Sequence, residues 1–509
     1  MATEVFLSGL ASYFNFLPVL LTMLGVLIGL LLGACPGIGP LLGVILFTPA
    51  AMFVDPVAGM GMLVGIYVGG AAGGAISAVL LRIPGTPMAA ATLLDGHPMA
   101  QQGKAPEAVG LAITASSLGG IFSGVVLIVF APVLARVALE FTPAEFFALT
   151  MTGLITIAVV AKESTIKGLI SGCIGLFIAS IGMDPFSHYY RFTFDIRGLY
   201  GGINLVALLV GLFAMSEMFI QMEKGGLDEK SNIKLFRTPL SSIKEVLRRP
   251  YNLLRSSSIG TFIGALPGAG MVIASFVAYA MAKAGSKNPE EFGKGAPDGI
   301  IAAEAGNNSC CGGALIPTLS LGIPGDPTTA VLLSALILLG FFPGPTLFAS
   351  HPGVVGGIFL GYLTSNFVLL LFGIIFTPLI VLVLRVRKNR LIPIVLLISV
   401  IGTYALEYSL FDLRIMIVFG LLGYLMRRYE FPLAPLIIAF VLGPMIETSL
   451  RRTLLIGYGR LSYFLTRPIS VVILAINALL LLWAILPSSL QNRIKKRIGS
   501  FVLPDKQFK

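Results

Sequence analysis

Long apolar stretches, each close to membrane thickness, alternate with short polar ones along most of this chain. "FNFLPVLLTMLGVLIGLLLGA" (14–34) and "PISVVILAINALLLLWAIL" (468–486) reach the roughly 20 apolar residues that a helix needs to cross a bilayer. Further apolar segments lie near 87–102, 108–138, 144–161, 166–183 and 202–221, and again near 328–342, 353–384, 391–405, 413–426 and 432–446. The pattern predicts an all-α polytopic membrane protein. The first ten residues, "MATEVFLSGL", contain no Lys or Arg, whereas a cleavable signal begins basic. The first apolar segment is therefore expected to remain as a helix.

The pattern also repeats. "GACPGIG" (33–39) parallels "GALPGAG" (264–270), and "GGAISAVLLRIPGTP" (73–87) parallels "GGALIPTLSLGIPGDP" (312–327), in the same order. Two matched pairs in one order predict an internal duplication. The expected division is a first transmembrane repeat over 1–222, a basic cytoplasmic linker over 223–255, a second repeat over 256–450, and an extra helix with a basic tail over 451–509. If each repeat crosses an odd number of times, the second is inverted relative to the first. The N-terminus then lies outside, with the linker and the C-terminal tail inside.

Composition sharpens this reading. The 509 residues are 56% hydrophobic and only 12% charged, with a mean hydropathy of +0.93, against about 25% charged in soluble domains. The net charge of +11 comes from clusters outside the apolar runs. Eight basic residues against four acidic ones fall in 223–255, and four basic residues fall in 385–390. Cytoplasmic loops are enriched in Lys and Arg and face anionic lipid, so bilayer orientation accounts for the surplus and no nucleic-acid partner is implied. Cys35, Cys173, Cys310 and Cys311 lack zinc spacing and read as small buried thiols, while His97, His188 and His351 are scattered. No resident metal or cofactor is expected, apart from Na⁺ as a transient coupling ion.

The repeated motifs carry the candidate chemistry. Pro removes a backbone donor and Gly weakens a helix, and in hydrocarbon each freed backbone group is costly unless protein or a wet cavity satisfies it. IPGTP (83–87) and IPGDP (323–327) are therefore expected to be helix breaks facing one central cavity. Pro84, Gly85, Thr86, Pro324, Gly325, Asp326, Thr328 and Thr329 would shape an anion site there, through backbone N–H groups at half-helix starts and hydroxyls. Pro36, Gly37, Gly39, Pro267, Gly268 and Gly270 mark the companion breaks, whose unwound carbonyls suit a cation. Glu304, Asn307, Asn308 and Ser309 add intramembrane polar groups, with Glu304 and Asn308 on one helix face. Such groups are costly in a bilayer and are candidates for cation coupling, the alternative being a hydrogen-bonded helix seam. Asp326 is expected to cap the helix that follows it, the alternative being a cation ligand. The stretch 92–110, with Asp95, His97, Lys104 and Glu107, reads as a solvated polar loop, the alternative being a gate or a docking surface formed by these four residues. Its Gly-Lys pair does not form a nucleotide-binding loop, since Ala105 stands where a Ser or Thr would hold Mg²⁺.

At "GACPGIGPLLG", "RIPGTPMAAATLLDGHPMAQQGKAPEA", "GALPGAG" and "GNNSCCGGALIPTLSLGIPGDPTTAVLL", the chain resembles the large membrane subunit of the tripartite tricarboxylate transporter family. The resemblance implies a permease of the bacterial inner membrane without its own ATPase. It also implies a small four-helix membrane subunit and a periplasmic solute-binding protein as partners. The substrates it implies are organic anions, citrate and other carboxylates among them, moved by a Na⁺ or proton gradient in symport. A channel is the rival class, because Gly-rich re-entrant loops also build selectivity filters. An intramembrane enzyme fits less well, for no nucleophile–base cluster or metal spacing stands out. No catalytic residue is expected.

Overall fold

A computed structural model describes residues 2–35, 37–160, 165–223, 235–268, 270–384 and 388–485. Of the described residues 81% are helical, and the strand content among them is one two-residue pair, Gly182–Met183 with Tyr190–Arg191. Among the described residues, six helices are long and apolar enough to cross a membrane. Pro36, the companion residues 224–234 of the linker, and the tail beyond 485 lie outside the described residues.

The first half opens with α1 (Ala2–Tyr13), α2 (Phe16–Ala34), α3 (Gly39–Ala51) and α4 (Pro56–Leu81). Helix α2, about 28 Å long, ends at Cys35 and the chain doubles back as α3. Gly70 of α4 packs on Pro40, and Gly59 packs on Ala51, so α3 and α4 are antiparallel. Gly25 faces Met62, Gly29 faces Ile66 and Gly33 faces Gly70, so α2 and α4 are parallel. Helices α2 and α3 therefore form a hairpin laid along α4. Glycine makes this contact possible: Gly25, Gly29 and Gly33 of α2 meet a second stripe, Gly61, Gly65, Gly69 and Gly73, on α4. A Cβ would strike the Thr22 hydroxyl at Gly61 and the facing backbone at each of the other positions, and such small-residue stripes are how helices approach closely in a bilayer. Asp55 starts α4, its side chain accepting from the N–H of Val57 (2.9 Å) ahead of Pro56 at the first turn.

After α4 come α5 (Ala90–Met99), α6 (Ala105–Ala138), α7 (Pro143–Val160), α8 (Thr165–Ala179) and α9 (Leu205–Glu223). The stretch 92–110 differs from the expected loop. It is helical on both sides of a kink at Gly103 (φ 83°), and α5 and α6 form a second hairpin. Asp95, expected in solvent, is fully buried. One of its oxygens accepts from the N–H groups of Gly293, Gly295 and Ala296 at 2.8–2.9 Å, and the other from the Tyr279 hydroxyl at 2.8 Å. Partners nearly 200 residues away make a buried carboxylate tolerable.

The second half contains α10 (Pro250–Ala265), α11 (Gly270–Ala284), α12 (Pro297–Leu321), α13 (Pro327–Leu338), α14 (Pro352–Ile375), α15 (Lys388–Glu407), α16 (Leu410–Arg428), α17 (Leu433–Ile456) and α18 (Pro468–Ile485). Helix α10 begins inside the segment expected to be linker. Gly260 packs on Gly306, and Gly264 on Cys310 and Ala314, so α10 and α12 are parallel. Tyr279 meets Gly299 while Met271 meets Cys311, so α11 runs back between them. The α10–α11–α12 arrangement thus matches α2–α3–α4 in order and direction. Where the halves meet, α5 resumes along α4, with Gly85 beside Gly74 and Gly96 beside Val79. Helix α5 is in turn antiparallel to α12, Thr92 reaching Glu304 and Asp95 reaching Gly299. Helices α4 and α12 therefore run in opposite directions. Cys35, Cys310 and Cys311 are buried as expected, but Cys173 on α8 is exposed.

Candidate functional site

The two hairpins end in the same backbone shape. Gly37 and Gly39 take φ of 92° and 67°, and Gly268 and Gly270 take 84° and 69°. These values lie in the left-handed region, which glycine enters without the steric cost other residues meet. The helices beside them also end alike. Arg82 closes α4 and Gly322 closes α12, both in the left-handed conformation, at φ 57° and 71°. The chain then folds back against its own helix before the next one begins.

At each fold-back a glycine occupies a crossing of backbones. A Cβ on Gly85 would strike the carbonyl oxygen of Gly33 and the Cα of Gly74. One on Gly325 would strike the carbonyl oxygen of Gly264 and the Cα of Ala314. In both halves the break is thus pressed onto its own hairpin by a missing side chain. The Gly268 N–H donates to the Gly325 carbonyl at 2.9 Å, and the Gly85 N–H donates to the Gly74 carbonyl at 3.2 Å. Polar backbone freed by Pro84 and Pro324 therefore finds protein partners close by.

The breaks converge on one cavity of about 640 Å³. Pro84, Gly85 and Thr86 from the first break and Asp326 and Thr328 from the second line its wall, with Gly37, Gly39, Gly268 and Gly270 from the two hairpin tips. Segments some 240 residues apart in sequence are brought together. Pro324 and Gly325 are buried behind the wall, and Pro267 sits at the second tip near Gly153. The Thr86 hydroxyl is buried without a hydrogen-bond partner among the described residues; it lies against Gly74 of α4, while the Thr86 methyl faces Gly39 of the first tip. Asp326 caps α13 as its position suggested. Its side chain accepts from the Thr329 N–H at 2.7 Å, and the Thr329 hydroxyl oxygen accepts from the Asp326 N–H at 2.9 Å. The second Asp326 oxygen accepts from the Tyr67 hydroxyl of α4 at 2.6 Å.

Two charged residues of the cavity escaped sequence reasoning. Arg427, near the end of α16, and Glu217, within α9, both line it and form an ion pair. Gln221 donates to Glu217 at 2.9 Å, and the Arg427 guanidinium lies 6.0 Å from the centre of the Phe213 ring. Arg427 is the one cationic side chain among the described residues lining the cavity. In sequence both residues look like ordinary charges at the ends of apolar helices, and only packing places them beside the breaks.

Glu304, Asn307, Asn308 and Ser309 do not join the cavity wall. All four lie fully buried on α12, Glu304, Asn307 and Asn308 where it meets α4, α5 and α6, and Ser309 where it meets α10. Glu304 accepts from the hydroxyls of Thr92 and Ser116, the latter at 2.6 Å, and the Asn307 amide lies 3.5 Å away. The Asn307 amide donates to the Ala71 carbonyl at 3.0 Å, and that of Asn308 is 3.5 Å from the Val68 carbonyl. Ser309 bonds back to the Gly306 carbonyl of its own helix. These bonds make the seam that was the alternative reading. Yet the side-chain carbonyl oxygens of Asn307 and Asn308 remain buried and unpartnered among the described residues. Among the described residues no group of three or more His, Cys, Asp and Glu side chains is placed to hold a metal ion.

Residues 19–438 match the sequence model of a family described as the tripartite tricarboxylate transporter TctA family. The chain is 36% identical over 447 residues to an uncharacterized 52.8 kDa protein of Agrobacterium vitis from the 3′ region of ttuC′ in TAR-I, spanning 88% of this chain and 89% of that protein. It is 38% identical over 234 residues to an uncharacterized protein from the TAR-II ttuC′ 3′ region of the same organism, spanning 46% of this chain and 97% of that one. No solved structure matches it. The match covers both hairpins, both breaks and the helices that close the cavity, and the chain belongs to the tripartite tricarboxylate transporter TctA family.

Proposed function

We propose that the chain is the large permease subunit of a binding-protein-dependent secondary transporter that imports organic di- and tricarboxylates across the bacterial inner membrane. The observation that carries this reading is the cavity shared by the two helix breaks, with Arg427 in its wall. Glu217 holds Arg427 while the cavity is empty, as an internal carboxylate. An incoming carboxylate replaces it, pairing with the guanidinium in bidentate fashion, and takes further donors from Thr86, Thr328 and the backbone of the breaks. A wall with one cation, neutral donors and the carboxylates of Glu217 and Asp326 binds an anion without holding it too tightly to release.

In this reading the two halves are repeats of inverted topology. The like order of the two three-helix units and the opposite directions of α4 and α12 support it. Transport then rocks one hairpin pair against the other around the central cavity. The coupling ion, Na⁺ or a proton, sits at the α12 seam. Glu304 with the free oxygens of Asn307 and Asn308 offers the hard oxygen donors that Na⁺ favours, or a carboxylate for a proton. The hairpin-tip carbonyls are the second candidate. A small four-helix membrane subunit and a periplasmic solute-binding protein complete the system, the latter delivering substrate from the periplasmic side. The cytoplasm receives the linker 223–255.

The test is uptake of labelled carboxylates into proteoliposomes containing the chain and its partner subunits, under imposed Na⁺ or proton gradients. Accumulation that stops when the gradient is collapsed is expected. Flux that merely equilibrates, whatever the ion gradient, would establish a channel instead.

A further inference from the structure

A second cleft lies far from the central cavity, between the start of α10, the end of α11 and the start of α12. It holds about 430 Å³ and is lined by four basic residues, Arg248, Arg249, Arg255 and Lys287, against two acidic ones, Glu291 and Asp298. The acidic pair is engaged. Asp298 is held by Arg249 (3.3 Å) and by the Asn252 amide (2.8 Å), and Glu291 accepts from Asn288 at 3.1 Å. Arg249 is also paired with Glu245 at 2.6 Å.

Arg255 and Lys287 are different. Neither has a carboxylate within ion-pair distance among the described residues. The Arg255 guanidinium is held in place rather than neutralised: it gives one bond to the Asn252 side-chain oxygen at 3.0 Å and lies 5.3 Å from the Tyr251 ring centre. Its Nε is buried and has no hydrogen-bond partner among the described residues. A fixed cation with a buried spare donor, together with an exposed one lining the same cleft, matches a phosphate group in size and charge. The surroundings choose between the sources of phosphate. Tyr251, Leu247, Leu254 and Met281 are all exposed around the cleft, and Leu254 and Met281 lie along the flanks of α10 and α11 leading away from it. Apolar flanks below a basic cleft suit a headgroup with acyl chains, not a free ion. The cleft also adjoins the basic linker, on the side expected to be cytoplasmic, where anionic lipid is available to basic pockets between helices.

We propose that this cleft binds the phosphate headgroup of an anionic phospholipid of the inner leaflet, with Arg255 and Lys287 as its two cations. The bound lipid fixes the α10–α11 hairpin against the start of α12, and so sets the resting position of the second break. This site is independent of the carboxylate reading and stands or falls without it.

The full chain is solubilised from membranes of equal phosphatidylglycerol and phosphatidylcholine content, and its retained lipids are weighed by native mass spectrometry. Phosphatidylglycerol should dominate for the unaltered chain. Each basic residue near a membrane surface is worth about fivefold in affinity, so Arg255→Gln with Lys287→Gln should cut that preference about thirtyfold. Lys287 is exposed, so Lys287→Gln alone cannot fail through misfolding, and it should lose about fivefold by the same reckoning. Inorganic phosphate at millimolar concentration should leave the bound lipid in place. Equal retention of the two lipids by the unaltered chain would overturn the proposal, as would unchanged selectivity in both variants. Displacement by phosphate alone would assign the cleft to a soluble phosphate and overturn the lipid as its occupant.

Discussion

Substitution of the two crossing glycines tests how the breaks are held. In Gly325→Ala the new Cβ would stand 2.7 Å from the Gly264 oxygen, 2.7 Å from the Ala314 Cβ and 2.8 Å from the Ala314 Cα. In Gly85→Ala it would meet the Gly33 oxygen, the Ser77 hydroxyl at 2.5 Å and the Gly74 Cα at 2.9 Å. Ordinary contact begins near 3.4 Å, so the break must move off its hairpin by several tenths of an ångström. Most of the obstructing atoms are backbone and cannot rotate away. Overpacking of this kind costs about 1–3 kcal/mol, and the backbone partners put both sites toward the upper end, with Gly85→Ala the worse. Because hairpin tip and break share the cavity wall, transport should fall along with stability. The assay pairs thermal unfolding of detergent-solubilised protein with proteoliposome uptake. Gly201→Ala serves as control, since nothing lies within 4 Å of a Cβ there. If Gly325→Ala and Gly85→Ala match the control in both measurements, the breaks are not pinned at these crossings. The bulkier Gly85→Val and Gly325→Val should fail more severely, in folding as well as in transport.

Other expectations follow from the same geometry. Arg427→Gln should raise the substrate KM by tenfold or more while leaving the chain folded, and Glu217→Gln should lower it by removing the competing carboxylate; unchanged KM in both would remove Arg427 from the site. Glu304→Gln keeps the size of the side chain, so it should alter the dependence of uptake on Na⁺ or pH more than protein abundance; unaltered ion dependence leaves Glu304 a structural member of the seam. Ser241, exposed in the linker, should resist an impermeant thiol reagent in intact cells when replaced by Cys, and ready labelling from outside would reverse the orientation. The loop between α8 and α9 should resist protease at neutral pH. The N–H of Ser187, bidentate Arg451 and the N–H of Phe186 hold the Asp184 carboxyl well below its usual range. The contribution of Asp184 is therefore complete above an ordinary aspartate pKa of about 4 and is lost only as pH falls below that. Cleavage that rises already between pH 7 and 5 would contradict it.

Much of this architecture could be read from the chain, for a definite reason. Membrane helices announce themselves by unbroken apolarity, and a Pro-Gly pair inside such a run has no inexpensive place except beside protein or a cavity. The duplicated IPGTP and IPGDP therefore pointed to a shared cavity, and the glycine pattern of 61–74 is legible afterwards as a packing stripe. Three things were hidden. Asp95 looked solvated because its satisfying partners, Tyr279 and the 293–296 backbone, are distant in sequence. Arg427 and Glu217 are charges in or beside apolar segments, with nothing local that marks them as partners. Gly85 and Gly325 were read as shaping an anion site, and nothing local showed that the backbone each admits is that of the neighbouring hairpin. The first two depend on contacts across the two halves and the third on a backbone crossing within each half, between segments distant in sequence, and no local pattern encodes either.

The central claim is that the cavity between the two helix breaks holds the substrate. It is tested most directly by cysteine protection at Thr86→Cys and Thr328→Cys, in a chain whose exposed Cys173 has been replaced by Ser. A small thiol reagent is applied with and without the carboxylate that uptake experiments identify. The account predicts that this substrate slows modification at both positions and leaves Gly201→Cys, on the exposed loop, unaffected. Modification of Thr86→Cys and Thr328→Cys at the same rate with and without a transported substrate would contradict it.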